Sequence, residues 1–82
     1  AGCVPLYVDI SPVTLLMDAD SVSSILNQAP AAVIVTHLYG RMVDPHLIHQ
    51  IRAMGIPVIE DCAQAHGAGV PGGKAGTIGD IG

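Results

Sequence analysis

The chain has 82 residues, 12% of them charged, and a formal net charge of −4. Its only cations, Arg41, Arg52 and Lys74, are well separated, so it offers no basic surface for nucleic acid. The longest apolar run, Ala29 to Val35, is far too short to span a bilayer, and nothing reads as a signal peptide.

A domain this short has a high ratio of surface to volume and should be more polar than average. The 12% charged fraction lies instead well below the roughly 25% of soluble domains, and mean hydropathy is +0.54. Tyr7 and Tyr39 are the only aromatic residues. The expectation is that residues 1–82 are an interior piece of a larger α/β domain, with no complete domain present, whose remaining surface is covered by further chain. The lack of Met at position 1 fits that expectation. Cys3 and Cys62 have neither metal nor redox spacing and point to reduced thiols in the cytoplasm.

In chain order, Val4–Ile10 is rich in β-formers and ends at the turn signal Ser11-Pro12, which predicts a first strand. Asp18 is a good N-cap for a short helix carrying Val22, Ile25 and Leu26 on one face and stopping before Pro30. Ala32–Thr36 is a continuous apolar run, as in a strand buried on both faces of a parallel sheet. Asp44-Pro45 then pairs an N-cap with proline at the first helical position. Leu47, Ile48, Ile51 and Met54 recur at helical spacing, and Gly55 stands where a glycine would end the helix. Pro57–Glu60 reads as a third strand. Seven of the ten glycines lie in Gly67–Gly82, with Pro71–Lys74 as the predicted tight turn.

Alternating strands and helices predict parallel βαβ units with all strand ends on one edge, where open α/β sheets bind ligands. Asp9, His37 and Asp61 follow the three predicted strands. Asp61 could cap a turn or serve a ligand, two readings of equal weight on pattern alone. Glu60 alternates to the opposite face and reads as structural. Gln64 and His66 could simply close the loop against backbone. His46 and His49, three apart on a helix, lack a third metal ligand at matching spacing and read as structural. Lys74 beside the Gly-Gly turn reads as solvated. No phosphate-binding glycine fingerprint is present. Pattern alone reaches an α/β ligand-binding fragment.

Three stretches, "THLYGRMVDPHLIHQI", "GIPVIEDCAQAHGA" and "GGKAGTIGDIG", in this order and spacing, resemble the DegT/DnrJ/EryC1/StrS family of sugar aminotransferases. These are pyridoxal-phosphate enzymes of the type I aspartate aminotransferase fold. The resemblance runs from Tyr7 to Gly82 and is strongest from Thr36 onward. It implies an α/β fold in which this chain is part of the mainly parallel, helix-flanked sheet of the large domain.

By the same resemblance, Asp61 pairs with the pyridinium nitrogen of the cofactor, where a protonated ring is the electron sink for the chemistry. Ala63 matches the small residue against the ring face, and Gln64 the glutamine that hydrogen-bonds the phenolic oxygen. His37 is expected to approach that same oxygen. Cys62 stands where alanine is common. The Schiff-base lysine and a phosphate-binding serine are expected beyond Gly82, and a phosphate loop before Ala1. No catalytic residue is therefore expected within the chain, and the 82 residues alone are expected to be inactive.

The resemblance implies amino transfer from an amino acid, often glutamate, to a nucleotide-linked keto-sugar in a cytoplasmic homodimer, with no nucleic-acid or membrane partner. One alternative is a sugar dehydratase of the same family, in which histidine replaces the lysine. Another is a non-catalytic α/β binding module, or a metal site built from His37, Asp61 and His66.

Overall fold

A computed structural model describes all residues, Ala1–Gly82. Helix α1 spans Ala19–Leu26, strand β1 Val33–Thr36, helix α2 Pro45–Ala53 and strand β2 Val58–Asp61. A hairpin of β3, Gly69–Val70, and β4, Gly73–Lys74, follows.

Both helices start where their caps require. The Asp18 carboxylate accepts the Ser21 N–H, and the Ser21 hydroxyl accepts the Asp18 N–H, a reciprocal box that satisfies two otherwise orphaned donors. Asp44 accepts the His46 N–H at 2.9 Å, and Pro45 takes the first helical position, where no donor is missed. Past α2, Gly55 adopts φ +78°, a left-handed conformation that costs glycine nothing.

Strands β1 and β2 pair in parallel, with Val33 opposite Val58, Val35 opposite Glu60 and Thr36 opposite Asp61. The apolar face of α2, carrying Leu47, Ile48 and Ile51, closes over one side of this pair against Val33, Val35 and Val58. Ile48, Ile51, Val35 and Val58 are fully buried, each stabilising the fold by about 1.5–3 kcal/mol. The opposite face is open: Ile34 there is 61% exposed, although its sequence run predicted burial on both sides. No helix is long and apolar enough to cross a membrane.

The first predicted strand is corrected. Val4–Ile10 pairs with no other strand, and the Asp9 carboxylate bonds only its neighbour, the Ile10 N–H, at 2.8 Å. High β-propensity makes a strand only where a partner supplies the ladder, and residues 80–81 reach the free edge of β2 instead. The Asp80 N–H donates to the Val58 carbonyl at 2.8 Å, the Glu60 N–H donates to the Ile81 carbonyl at 2.8 Å, and Ile59 and Ile81 form a parallel bridge. The Asp80 carboxylate also accepts the Val58 N–H at 2.9 Å. The third parallel element thus comes from the C-terminal stretch.

The tight turn forms as predicted, with Pro71 and Gly72 joining β3 to β4.

Candidate functional site

Strand pleating sends alternate side chains to opposite faces, so Val35, His37, Val58 and Glu60 point toward the core while Thr36 and Asp61 point to the open side. Two adjacent carboxylates therefore end β2 in different surroundings.

Glu60 is 3% exposed. Its Oε2 accepts from His37 Nε2 at 2.8 Å and from the Gly76 N–H at 3.0 Å. Its Oε1 accepts the Ile78 N–H at 2.7 Å and the Gly79 N–H. Burial works against the charge, but the Gly79 N–H, the His37 ring and the Gly76 and Ile78 N–H groups outweigh it, holding the carboxyl below its usual range. Position 79 admits only glycine: a Cβ there would lie 2.8 Å from the Val58 carbonyl oxygen and 3.1 Å from Glu60 Cγ.

The His37 ring is wholly buried. Its Nδ1 accepts the Val43 N–H at 3.1 Å. The hydrogen-bond network therefore assigns the ring proton to Nε2, which donates it to Glu60. Both ring nitrogens are occupied, so the expectation that His37 approaches a cofactor oxygen gives way to a different placement, on the core face of the sheet. Its backbone still reaches the site, because the His37 N–H donates to the Asp61 carbonyl at 2.9 Å.

Asp61 is half-buried. Its Oδ1 accepts the Ala63 N–H at 3.1 Å. The chain's two ion pairs, His37–Glu60 and Arg52–Asp80, leave it without a cation. Residues 62–65 turn immediately after it, the Ala65 N–H donating to the Cys62 carbonyl at 2.9 Å. This turn exposes Ala63 and Gln64. The Gln64 carbonyl accepts the Gly40 N–H at 2.8 Å, while its side-chain amide has no protein partner. Asp61, Ala63 and Gln64 thus come together as one strand end and turn, whereas the Asp9 carboxylate bonds only the Ile10 N–H.

The metal set His37, Asp61 and His66 is not assembled. The ligand atoms that do converge, within 4.8 Å of one another, belong to His37, Glu60 and Cys62. Glu60 and His37 already have their polar atoms filled by partners. The Cys62 thiol is pushed up by burial and by the charges of Glu60 and Asp61, which disfavours the thiolate a metal would need. His46 and His49 are exposed on α2. Glu60, which reads from sequence as mostly structural, is buried and bonded only to protein donors. The signal of its importance was there, since an acid on the core face of a buried strand must find donors.

The arrangement suits a flat heterocycle bearing a protonated nitrogen: a carboxylate without a cation, a small side chain and a free amide on one turn. In sequence the chain is similar to known aminotransferases. The L-glutamine:2-deoxy-scyllo-inosose aminotransferase of Streptoalloteichus tenebrarius is 45% identical over 82 residues, 99% of this chain and 19% of that protein. The enzyme of the same description from Streptomyces kanamyceticus is 44% identical over 82 residues, with the same 99% and 19% coverage. A dTDP-3-amino-3,4,6-trideoxy-alpha-D-glucose transaminase of Micromonospora megalomicea subsp. nigra is 39% identical over 80 residues, 96% of this chain and 21% of that protein. The chain spans about a fifth of the length of these curated relatives. No solved structure matches it significantly. The sequence signature of the DegT/DnrJ/EryC1/StrS aminotransferase family matches residues 1–82, the whole chain, and the chain belongs to that family.

Proposed function

We propose that the full-length protein is a pyridoxal-phosphate-dependent aminotransferase moving an amino group from an amino acid to a keto-sugar, nucleotide-linked or a free cyclitol. The observation that carries this reading is Asp61, a carboxylate without a cation at the carboxyl end of a parallel strand, with Ala63 and Gln64 on the turn just after it. When bound, the cofactor supplies an electron sink that stabilises negative charge at the amino-bearing carbon.

The residues of this chain would serve that sink in separate ways. Asp61 holds the proton on the ring nitrogen, because a full negative charge favours the protonated ring where a neutral amide would not. Ala63 leaves room for the ring face, and the Gln64 amide donates to the phenolic oxygen. The relatives' names support L-glutamine as donor and a keto-cyclitol or dTDP-linked keto-sugar as acceptor. In this reading residues 1–82 are an interior part of the large domain of a cytoplasmic homodimer. The lysine that carries the cofactor lies elsewhere in the parent, and the 82 residues alone do not transaminate.

The test is made on the full-length protein. The expected result is uptake of pyridoxal phosphate with its visible absorbance and glutamine-dependent amination of a keto-cyclitol or keto-sugar, both lost in Asp61→Ala. A full-length protein that takes up no cofactor and transfers no amine would overturn the reading.

A further inference from the structure

Glu60 and His37 point away from the open side of the sheet, yet they tie the 37–43 loop, the end of β2 and residues 76–79 together. The Glu60 carboxylate gathers the Gly76, Ile78 and Gly79 N–H groups, fixing the C-terminal loop against β2. His37 grips β2 twice, by Nε2 to the Glu60 side chain and by its backbone N–H to the Asp61 carbonyl. Its Nδ1 holds the Val43 N–H, and Gly40 in the same loop holds the Gln64 carbonyl.

That loop needs holding. Tyr39 adopts φ +58° and Gly40 φ +70°. A non-glycine residue in this region costs of order 1–3 kcal/mol and persists only when its surroundings over-determine it.

We propose that Glu60 and His37 are positioning residues for the cofactor site: their buried pair locks the 37–43 loop, the end of β2 and the 76–79 loop together, and so fixes where Asp61 and Gln64 present their polar groups. The inference rests on the reading of Asp61 as the ring-nitrogen partner. It differs from a role in stability alone because Glu60 and Asp61 are consecutive residues of one strand. The four bonds pin the Glu60 side chain and with it the local backbone twist of β2, and a backbone twist that draws Glu60 off its donors also turns the Asp61 carboxylate.

Glu60→Gln keeps the size and shape of the side chain but turns one acceptor oxygen into an NH2 donor. That donor must then face either His37 Nε2–H and Gly76 N–H or the Ile78 and Gly79 N–H groups. His37 cannot relieve the clash by moving its proton, because Nδ1 is needed by Val43. His37→Asn is the milder variant: its carbonyl oxygen replaces Nδ1 as acceptor for Val43, and Glu60 keeps its three backbone donors.

The experiment uses the full-length protein in wild-type, Asp61→Ala, Glu60→Gln and His37→Asn forms. It measures pyridoxal-phosphate affinity by titration and the 15N resonance of the labelled cofactor's ring nitrogen, with circular dichroism of the cofactor-free proteins as the check on folding. Glu60→Gln is expected to weaken cofactor affinity by about tenfold or more and to move the ring resonance toward its unprotonated position with Asp61 intact. His37→Asn is expected to do the same to a smaller extent, and it decides the matter if Glu60→Gln does not fold. A folded variant with wild-type ring resonance and affinity within about twofold of wild type overturns the inference, even though Asp61→Ala loses the signal. If the wild-type protein takes up no cofactor, the Asp61 reading falls and this inference with it.

Discussion

Glu60 and Asp61 are the same kind of acid, one residue apart in one strand, and the fold treats them in opposite ways. Glu60 is 3% exposed and its carboxylate is surrounded by four donors, whereas Asp61 is half-buried and its carboxylate is bonded only to the nearby Ala63 N–H. The cause is the two-residue period of a strand with one covered face. A carboxylate turned inward must be satisfied by protein, because desolvating it unpaired is costly. One turned outward keeps its capacity for something else. The proposed cofactor partner is the outward acid, on the side where hydrogen bonding is incomplete.

The sharpest way to break the contrast is to empty the inner side. Glu60→Ala strands four buried or part-buried donors, and unfolding in urea is expected to show a loss of about 3–5 kcal/mol in the full-length protein. Asp61→Asn should reverse the pattern. Cofactor affinity is expected to fall by about tenfold or more, while the unfolding free energy in urea changes by less than about 1 kcal/mol. Equal destabilisation by both variants would show that the two faces are not distinct.

Acid sharpens the same comparison. The Glu60 carboxyl is held below its ordinary value, so its stabilisation is fully present above the unfolded-state value and is lost as pH falls through the lower folded one. Melting temperature is therefore expected to be flat near neutrality and to drop as pH falls below about 4.5. Asp18, lowered first by the Ser21 N–H, and Asp80, lowered first by the Val58 N–H, act in the same direction. Glu60→Gln should make the drop shallower without abolishing it, and an unchanged acid profile would contradict the charged form of Glu60.

The smallest effect is at sulfur. Burial comes first in raising the Cys62 thiol, followed by Glu60 and then Asp61, while Cys3 is exposed. Iodoacetamide is expected to modify Cys3 before Cys62, as peptide mass mapping would read. Glu60→Gln should speed Cys62 labelling by about threefold, and Asp61→Asn by less.

Much of the architecture was legible along the chain. Asp18 and Asp44 announced the two helix starts, Gly55 the end of the second, and Pro71-Gly72 the hairpin, because caps and turns are satisfied by residues a few positions away. Val4–Ile10 misled because β-propensity alone makes no ladder: this stretch pairs with no strand, and it is residues 80–81 that extend the pair, on the outer edge of β2. His37 misled for a related reason. Its place after a strand was right, but the side of the sheet it faces depends on pairing register and on the helix packed above.

Residue order along the chain is enough to establish that β2 runs into two acids, that they face opposite ways, and that a turn of small and amide-bearing residues follows. Those facts are local, set by backbone geometry over a few residues. It takes the folded chain to bring the inner acid to His37, 23 residues earlier, and to the N–H groups of Gly76, Ile78 and Gly79, 16 to 19 residues later. A buried charge takes its partners from whatever the fold brings within about 3 Å, and no spacing in the sequence encodes that neighbourhood.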